Sequence, residues 1–459
     1  MECACYFGGP PMSFPRYPKY KASGVEWLGE VPQHWEVRRL KSLVEEPLKY
    51  GANESAELDD RTLPRFVRIT DIDDDGGLRD ETFKSLPAEV AEPYLLKEGD
   101  VLLARSGATV GKSFIYSNEW GTACFAGYLI RARLRDSHCM PTWLYYFCQT
   151  DGYWGYVVGS QIQATIQNVS AEKYANLYLP LPPRDEQTKI ASFLDRETSK
   201  IDGLVGEQRR LMELLKEKRQ AVISHAVTKG LNPHAPLKSS GIEWLGDVPE
   251  HWEVMPLKYL LSLKSGGTPS KENLTYWDGA VPWASSKDLK THELFDTQDH
   301  ITQKALDDGA AYLVPPGSIL TVVRGMILLH TFPVVVARVP MAINQDLKAI
   351  LPTAGITADF LAWLLRGASA EVLSRTDEAG HGTKVLRMET WLAMQVPVPP
   401  LNEQTLIVAN IITRLGELNA LTAEAERGIE LLQERRTALI SAAVTGQIDV
   451  RGLAETEDV

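Results

Sequence analysis

The stretch "GVEWLGEVPQHWEV", residues 24–37, occurs a second time as "GIEWLGDVPEHWEV", residues 241–254. Two tryptophans, a proline and a histidine keep their spacing in both copies, so that His34 falls on His251. A stretch of this composition that recurs so closely at two distant places indicates one structural role performed twice. Each histidine stands between proline and tryptophan, which favours packing or a turn hydrogen bond over catalysis.

The same offset of 217 residues aligns two further landmarks. "LPLPPRDEQ" (179–187) falls on "VPVPPLNEQ" (396–404), and "ELLKEKRQAVISHAVT" (213–228) falls on "ELLQERRTALISAAVT" (430–445). One offset that holds at three separated landmarks predicts a duplicated domain, because the period is too long for a solenoid repeat. The chain has 459 residues, which is enough for two such domains with cores of their own.

The first part of each copy has the pattern of a mixed α/β domain. Strand-like runs such as "DVLLAR" (100–105) and "SILTVV" (318–323) alternate with short helical patterns, and glycine and proline punctuate both copies. The two copies agree at their edges and diverge in their middles. This is expected of a shared scaffold on which each domain binds a different target.

The second part of each copy is predicted to be a long helix that begins after a Pro-Pro pair, with Asp185 or Asn402 as N-cap. Apolar residues keep a seven-residue spacing in both copies. The first copy has Leu194, Ile201, Leu215 and Val222, interrupted at Gln208. The second copy has Ile411, Leu418, Leu432 and Leu439, with Ala425 in the position of Gln208. The residues expected to fill the other apolar position are Ile190, Leu204 and Leu211.

Such a heptad pattern must be buried, and the simplest partner of each helix is the helix of the other copy. The sequence therefore predicts an antiparallel coiled coil that carries a domain at either end. The alternative is a pair of separate amphipathic helices, each packed on its own domain.

Composition limits the function classes. The net charge is −12, so any nucleic acid would be bound through local basic patches or with the help of other subunits. No apolar run has membrane-spanning length and the start has no signal pattern, so a cytoplasmic protein that binds no membrane is expected. Five cysteines at unrelated spacings predict neither a disulfide framework nor a zinc site. The first eleven residues look like an extension upstream of "MSFPRYPKYKASG".

Catalytic motifs are not found in the sequence. "GATVGKS" (107–113) has three residues between its glycines where a phosphate loop needs four, so a glycine-rich turn between two strands is favoured. No Gly-x-Gly nucleotide loop, no Asn-Pro-Pro-aromatic tetrapeptide and no metal-nuclease pattern occurs. The sequence therefore predicts a binding protein with no catalytic residue, no metal site and no cofactor of its own.

The candidate residues for binding DNA, as a target with two separate sequence elements, are polar side chains of the divergent middles, on glycine-rich loops. A target of that kind is suggested by two dissimilar domains held at either end of a long helix pair. In the first copy they are Arg105, Ser106, Thr109, Lys112, Gln161, Gln163, Gln167 and Asn168. In the second copy they are Lys264, Thr268, Lys271, Ser286, Lys287, His381, Thr383, Lys384 and Arg387. Glutamine and asparagine can form paired hydrogen bonds to adenine. For any single residue, a solvated loop position is an equally good interpretation.

Six stretches together carry a resemblance to a known family. They are "YPKYKASGVEWLGEVPQHWEV", "GDVLLARSGATVGK", "LPLPPRDEQTKIASFLD", "SGGTPSKENLTYW", "VPWASSKDLK" and "VPVPPLNEQ". From Met12 onward the chain resembles the specificity subunit of type I restriction–modification enzymes. The second copy has "VVRGMILL" where the first has Arg-Ser-Gly, so the resemblance does not extend a DNA role from Arg105 to Arg324.

The resemblance implies an α+β fold with pseudo-two-fold symmetry, in which two tandem mixed α/β target-recognition domains are separated by two long helices forming an antiparallel coiled coil. It implies that each domain reads one half of a split, asymmetric site in double-stranded DNA and that the helices set the spacer. Two methylation subunits and restriction–translocase subunits are the implied partners. S-adenosylmethionine, ATP and magnesium would then be bound by those partners.

The expected domain boundaries follow the repeat. They are an N-terminal extension (1–23), a first target-recognition domain (24–184), a central spacer helix (185–230), a linker (231–240), a second target-recognition domain (241–401), a C-terminal spacer helix (402–446) and a tail (447–459). Two other functions are kept open. One is a protein–protein scaffold with two ligand-binding domains on a coiled coil and no nucleic acid. The other is a fused enzyme whose chemistry has no familiar motif.

Overall fold

The computed structural model describes residues 14–55, 57–73, 76–107, 109–161, 168–379 and 382–453. The chain divides into two compact units. The first unit comprises Met1–Gln208 and Arg427–Val459, and the second comprises Arg209–Glu426. Each unit therefore combines one mixed α/β domain with a part of each long helix.

The first unit contains short strands and four short helices before the central helix, among its described residues. Its strands are β1 (Tyr20–Ala22), β2 (Glu30–Pro32), β3 (Glu36–Arg39), β4 (Lys49–Tyr50), β5 (Arg65–Val67), β6 (Val101–Ala104), β7 (Ser113–Ile115), β8 (Ala123–Phe125), β9 (Leu129–Ala132) and β10 (Tyr178–Leu181). Its helices are α1 (Ala88–Ala91), α2 (Pro141–Phe147), α3 (Asp151–Gln161), α4 (Ala171–Ala175) and the first part of the central helix α5 (Arg184–Lys229).

The second unit has more strands. They are β11 (Leu237–Ser239), β12 (Asp247–Pro249), β13 (Glu253–Pro256), β14 (Leu261–Ser265), β15 (Trp277–Ala284), β16 (Glu293–Leu294), β17 (Asp299–Ile301), β18 (Leu313–Val314), β19 (Ile319–Val322), β20 (Arg324–Gly325), β21 (Val334–Ala337), β22 (Met341–Ile343), β23 (Leu347–Pro352), β24 (Thr376–Ala379), β25 (Thr383–Leu386) and β26 (Gln395–Val398). Its helices are α6 (Gln303–Asp307), α7 (Ala358–Gly367), α8 (Ser369–Leu373), α9 (Met388–Leu392) and the first part of the C-terminal helix α10 (Leu401–Val444).

The repeated sequence forms the same frame in both units. An antiparallel hairpin, β1–β2 or β11–β12, is followed by a strand that pairs with the last strand before the long helix. In the first unit Glu36 lies opposite Leu181, and in the second unit Glu253 lies opposite Val398. Both pairs keep the offset of the sequence repeat, so the duplication predicted from the sequence is reproduced down to strand register.

The inserted parts differ in their sheets. The first unit has a four-stranded sheet in the order β4-β9-β6-β7 and a parallel pair β5-β8. The second unit has a five-stranded sheet β14-β23-β19-β21-β16, a four-stranded sheet β17-β15-β22-β18 and a three-stranded sheet β20-β25-β24. Strands β6 and β7 are antiparallel neighbours, and the described residues 109–112 form a turn before β7, as predicted for a glycine-rich turn between two strands.

The two long helices pair within each unit. In the first unit, Ile190 near the start of α5 shares a buried cluster with Val444 at the end of α10. In the second unit, Val227 near the end of α5 shares a buried cluster with Ile407 near the start of α10. The start of one helix meets the end of the other in both cases, so the helices run antiparallel. The predicted fold class is confirmed.

Part of the predicted apolar seam of α5 was wrong. Ile201 and Leu215 are buried, but Leu204 is 52% exposed and Leu211 is 41% exposed. Val205 is 6% exposed and takes the position predicted for Leu204. A coiled-coil seam alternates steps of three and four residues. The buried Thr198 lies three residues before Ile201, so the next seam position is four residues further, at Val205 and not at Leu204.

The predicted N-caps of the long helices were also wrong. The backbone N–H of Gln187 donates to the carbonyl of Pro183 at 2.9 Å, and that of Gln404 donates to Pro400 at 3.0 Å. The carbonyl that accepts the first helical bond therefore belongs to a proline, and Asp185 and the corresponding Asn402 lie inside the first turn. An acidic residue there still interacts favourably with the helix dipole.

Each unit has a glycine where two chain segments cross. A Cβ atom at Gly266 would lie 2.1 Å from the carbonyl oxygen of Ile343, and one at Gly51 would lie 2.2 Å from that of Phe125. We expect Gly266→Ala to lower the free energy of unfolding of the second unit by about 1–3 kcal/mol, because the backbones must separate. Amide hydrogen exchange in β14 and β23 measures this loss. Gly416→Ala is the matched control, since nothing lies within 4 Å of its Cβ position, and an equal loss there would contradict the steric argument.

Candidate nucleic-acid interface

The repeated His-Trp pair fixes each frame to its long helix. In the first unit, Glu186 in the first turn of α5 accepts a hydrogen bond from Trp35 Nε1 at 3.0 Å and lies 2.8 Å from His34 Nε2. In the second unit, Glu403 contacts Trp252 Nε1 at 3.1 Å and His251 Nε2 at 2.8 Å. The turn hydrogen bond predicted for the two histidines was wrong, because each histidine bonds to a glutamate 152 residues away at the start of a long helix.

The glutamine after each of these glutamates completes the attachment. Gln187 Oε1 accepts from the backbone N–H of Met140, and its amide group donates to the carbonyls of His138 and Pro182. Gln404 makes the corresponding bonds to Thr357, Gly355 and Pro399. Both glutamines are fully buried. The Glu-Gln dipeptide of each copy therefore holds the domain to the start of a helix.

Two of the candidate segments in the first unit meet at one end of the four-stranded sheet. Ser106, just after β6, pairs with Asn168 in an isolated β-bridge, and the carbonyl of Arg105 accepts from the N–H of Val169 at 2.8 Å. Thr109 and Lys112 lie in the turn that leads back into β7, where the N–H of Lys112 donates to the carbonyl of Thr109 at 3.0 Å. The structure therefore brings together residues that stand about sixty positions apart in the sequence.

A tyrosine that was not among the candidates lies beside them. The guanidinium of Arg105 lies 4.6 Å from the ring centre of Tyr50, and the Tyr50 hydroxyl accepts from the N–H of Ala171 at 2.9 Å. No sequence signal identifies Tyr50, because the offset of 217 residues aligns it with Gly267. Strand pairing instead places Ser265 in its position, since Tyr50 lies opposite Ile130 and Ser265 lies opposite Lys348. Gln161 ends helix α3, while Gln163 and Gln167 lie outside the described residues.

The corresponding position in the second unit carries different side chains. The carbonyl of Val323 accepts from the N–H of Leu386 at 2.9 Å, which matches the bond between Arg105 and Val169. Val323 therefore stands in the place of Arg105. Arg324 pairs with Val385 of β25 and stands in the place of Ser106. Thr383 and Lys384 lie on the same strand β25, next to this pair.

Three cationic candidates of the second unit are paired with carboxylates. Lys287 donates to Asp299 at 2.7 Å, and this bond raises the pKa of the Lys287 ammonium group. Arg387 lies 2.5 Å from Asp377, and Lys384 lies 3.9 Å from Glu378. All three pairs are solvent-accessible, so a phosphate group can compete with the carboxylate at little cost.

The other candidates of the second unit lie at the ends of strands and in turns. Lys264 is exposed on β14, and Thr268 follows it with its hydroxyl bonded to Gln345. Lys271 is exposed, and Ser286 starts a short 3₁₀ turn. His381 lies outside the described residues. The role of these residues in DNA binding stays a prediction.

Within the described part of the chain, no group of three or more His, Cys, Asp or Glu side chains is arranged to hold a metal ion. None of the described helices has the length and apolar character that a membrane crossing requires. What the fold does provide is one frame used twice, with different polar side chains at the same place. These features define a tandem protein whose two units present different side chains on the same frame.

Comparison with known families identifies the modules. The model of the type I restriction modification DNA specificity domain matches residues 32–209 and 249–431. The chain belongs to this family and carries its domain twice.

Named relatives agree with this assignment. The chain is 26% identical over 309 residues to the type I restriction enzyme EcoR124I/EcoR124II specificity subunit of Escherichia coli, which covers 65% of this chain and 69% of that protein. It is 24% identical over 441 residues to the putative type I restriction enzyme MjaX specificity subunit of Methanocaldococcus jannaschii, covering 92% of this chain and 96% of that protein.

Solved structures share the fold. A chain from a structure of the type I R-M system has a TM-score of 0.67 at 16% identity, covering 90% of this chain and 98% of that chain. The HsdS subunit from Thermoanaerobacter tengcongensis has a TM-score of 0.52 at 17% identity, covering 91% and 98%. Family membership makes the chain a DNA sequence-recognition subunit, and the comparisons give no support to the alternative of a protein–protein scaffold without nucleic acid.

Proposed function

We propose that each unit reads one half of a split, asymmetric site in double-stranded DNA, and that the paired helices fix the number of base pairs between the halves. One observation carries this proposal. Both units present the same pair of chain segments at the end of a sheet, but Arg105 and Ser106 of the first unit are replaced by Val323 and Arg324 in the second. A shared frame with different side chains is suited to two different short sequences.

The helices have the dimensions that a spacer requires. Helix α5 has 46 residues and contributes to both units. At 1.5 Å per residue it is roughly 70 Å long. Two turns of B-DNA have about the same length, since one turn spans roughly 34–36 Å. A helix pair of this length can therefore separate two half-sites by one to two turns of the duplex.

The catalytic steps belong, in this proposal, to partner subunits. Two methylation subunits bind S-adenosylmethionine, and restriction–translocase subunits bind ATP and magnesium, while this chain contributes recognition and no catalysis. Its net charge of −12 fits such a division, because the partners would supply most of the positive potential around the duplex. The complex would act on DNA in the cytoplasm.

The independence of the two units can be tested with Lys384→Ala. We expect this variant to change base preference in one half-site only, because Lys384 belongs to the second unit alone. The loss at an affected base pair should be roughly fivefold to a hundredfold. The measurement is methylation of a randomised duplex library by the assembled complex, followed by sequencing of the modified molecules.

The matched control is Lys258→Ala, which removes an exposed lysine from the frame of the same unit and should leave both half-sites unchanged. A change in both half-sites with Lys384→Ala would contradict the assignment of one half-site to each unit. If the assembled complex retained no random duplex at low salt, the scaffold hypothesis would replace DNA recognition altogether.

A further inference from the structure

Arg105 is held in place by four contacts, two of its backbone and two of its side chain. Its backbone N–H donates to the carbonyl of Tyr128 at 3.0 Å, and its carbonyl accepts from Val169 at 2.8 Å, so the backbone is fixed on both sides. The guanidinium lies over the ring of Tyr50, and its Nε lies 3.5 Å from Oδ1 of Asn168. An arginine that is stacked in this way loses little further conformational freedom when it binds.

Among the described residues, the terminal nitrogens of Arg105 have no hydrogen-bond partner, and no carboxylate pairs with its guanidinium group. Three other arginines of the same unit form ion pairs with carboxylates. The pairs are Arg68–Asp71 at 2.7 Å, Arg131–Glu46 at 2.5 Å and Arg133–Asp100 at 2.6 Å. The side chain is only half-buried, at the end of β6 where the sheet meets the loop of Asn168. The planar, positively charged guanidinium group of Arg105 is therefore held in a fixed position and is accessible to a ligand.

We infer that Arg105 recognises a guanine in the half-site read by the first unit, and that Tyr50 is the residue that positions it. The guanine edge in the major groove carries two acceptors, O6 and N7, whose separation matches the two terminal nitrogens of arginine. The Tyr50 hydroxyl is bonded to the N–H of Ala171, so the ring is itself held in position for the stack. This inference rests on the proposed function, because it names the base that this surface would contact.

The second unit lacks this arrangement. Val323 and Ser265 occupy the positions of Arg105 and Tyr50, and Lys348 Nζ donates to the Ser265 hydroxyl. We therefore expect the guanine contact only in the half-site of the first unit.

The test uses the complete complex with its methylation subunits and a duplex library that is randomised in both half-sites. We expect Arg105→Lys to reduce the preference for guanine at one position by about tenfold or more, because lysine keeps the charge but loses the paired hydrogen bonds. Tyr50→Ala should reduce the same preference about twofold to fivefold. Tyr50→Phe keeps the ring and should retain the preference.

A matched control exists in the same unit. The Arg39 guanidinium lies 4.9 Å from the ring centre of Tyr178 and its Nε donates to the Tyr178 hydroxyl, but this pair belongs to the frame sheet of β3 and β10. Arg39→Lys should leave every base preference unchanged.

The outcomes separate this inference from the proposed function. If Arg105→Lys weakened binding equally for all sequences, Arg105 would contact phosphate and the guanine assignment would be wrong. The guanine assignment would also be wrong if the Arg105→Lys complex recognised both half-sites with unchanged base preference. It would be wrong as well if the half-site read by the first unit contained no guanine. If the unaltered complex showed no split site at all, the proposed function itself would fail.

Discussion

Replacing Glu186 with alanine is expected to lower the free energy of unfolding of the first unit by about 3–5 kcal/mol, which is the cost of removing one partner from a buried charged network. The same replacement at Glu403 should cost about 1–2 kcal/mol in the second unit, because fewer buried groups lose their partner there. The two glutamates occupy equivalent positions of the repeat, so they form a natural pair for comparison.

The difference arises from the ends of the chain. Glu186 is 4% exposed, whereas Glu403 is 25% exposed. In the first unit the Tyr17 hydroxyl donates to Glu186 at 2.6 Å, and the Arg451 guanidinium lies 4.0 Å from it. Burial of Tyr17 and its bond to Glu186 raise the pKa of the tyrosine, which therefore remains a donor at all physiological pH values. In the second unit the repeat places the exposed His234 in the position of Tyr17.

Alanine at position 186 would leave Trp35 Nε1 and the Tyr17 hydroxyl buried without an acceptor, and each such group costs about 1–3 kcal/mol. Hydrogen exchange of the full chain can measure both units at once, with β1–β2 reporting on the first and β11–β12 on the second. Glu186→Gln keeps an acceptor in place and should lose much less stability than Glu186→Ala. Equal losses with Glu186→Ala and Glu403→Ala would contradict the role assigned to the chain ends.

The frame of each unit, a hairpin followed by a strand that pairs with the last strand before the long helix, could be predicted because its sequence occurs in both copies. A repeated "HW" and a repeated "EQ" stand 151 to 153 residues apart in each copy, and the structure joins them through Glu186 and Glu403. The heptads of the long helices were predictable for the same reason, except that Leu204 and Leu211 are exposed. Leucines occur on both sides of a helix, and composition alone does not show which of two adjacent positions faces the partner.

The recognition surface could be predicted only in part. The sequence pointed to Arg105 and Asn168 separately, but their meeting depends on the bridge that joins two distant segments. Tyr50 gave no signal, since its role comes from a stack with Arg105, which follows the end of another strand. The ion pairs of Lys287 and Arg387 could not be predicted from the sequence either, because their partners Asp299 and Asp377 lie on other elements of the fold.

The second large effect is expected from lengthening the helices. The units meet in sequence between Gln208 and Arg209 on α5 and between Glu426 and Arg427 on α10. An insertion of seven residues at both places adds one heptad, so the apolar residues keep their steps of three and four and the seam stays buried. Each unit keeps its own sequence. The added length is about 10 Å at 1.5 Å per residue. This corresponds to roughly three base pairs at 3.4 Å each.

We expect such a variant to lose its preference for the original site and to prefer a site whose gap is longer by about three base pairs. The loss at the original spacing should approach the difference between specific and non-specific binding, which is about 10³-fold or more, because only one half-site can be engaged at a time. A control variant with seven residues inserted in the loop between α5 and β11, at residues 231–236, lengthens the chain without lengthening the helix pair. It should keep the original gap.

The most direct test of a recognition subunit with a built-in spacer is therefore the gap length itself, measured by sequencing library duplexes that the assembled complex has methylated. We expect the unaltered protein, the variant with lengthened helices and the variant with the lengthened loop to recognise the same two half-sites. The gap between the half-sites should increase by about three base pairs only in the variant with lengthened helices. An unchanged gap in the helix variant, with both half-sites still recognised, would show that something other than the helices sets the distance.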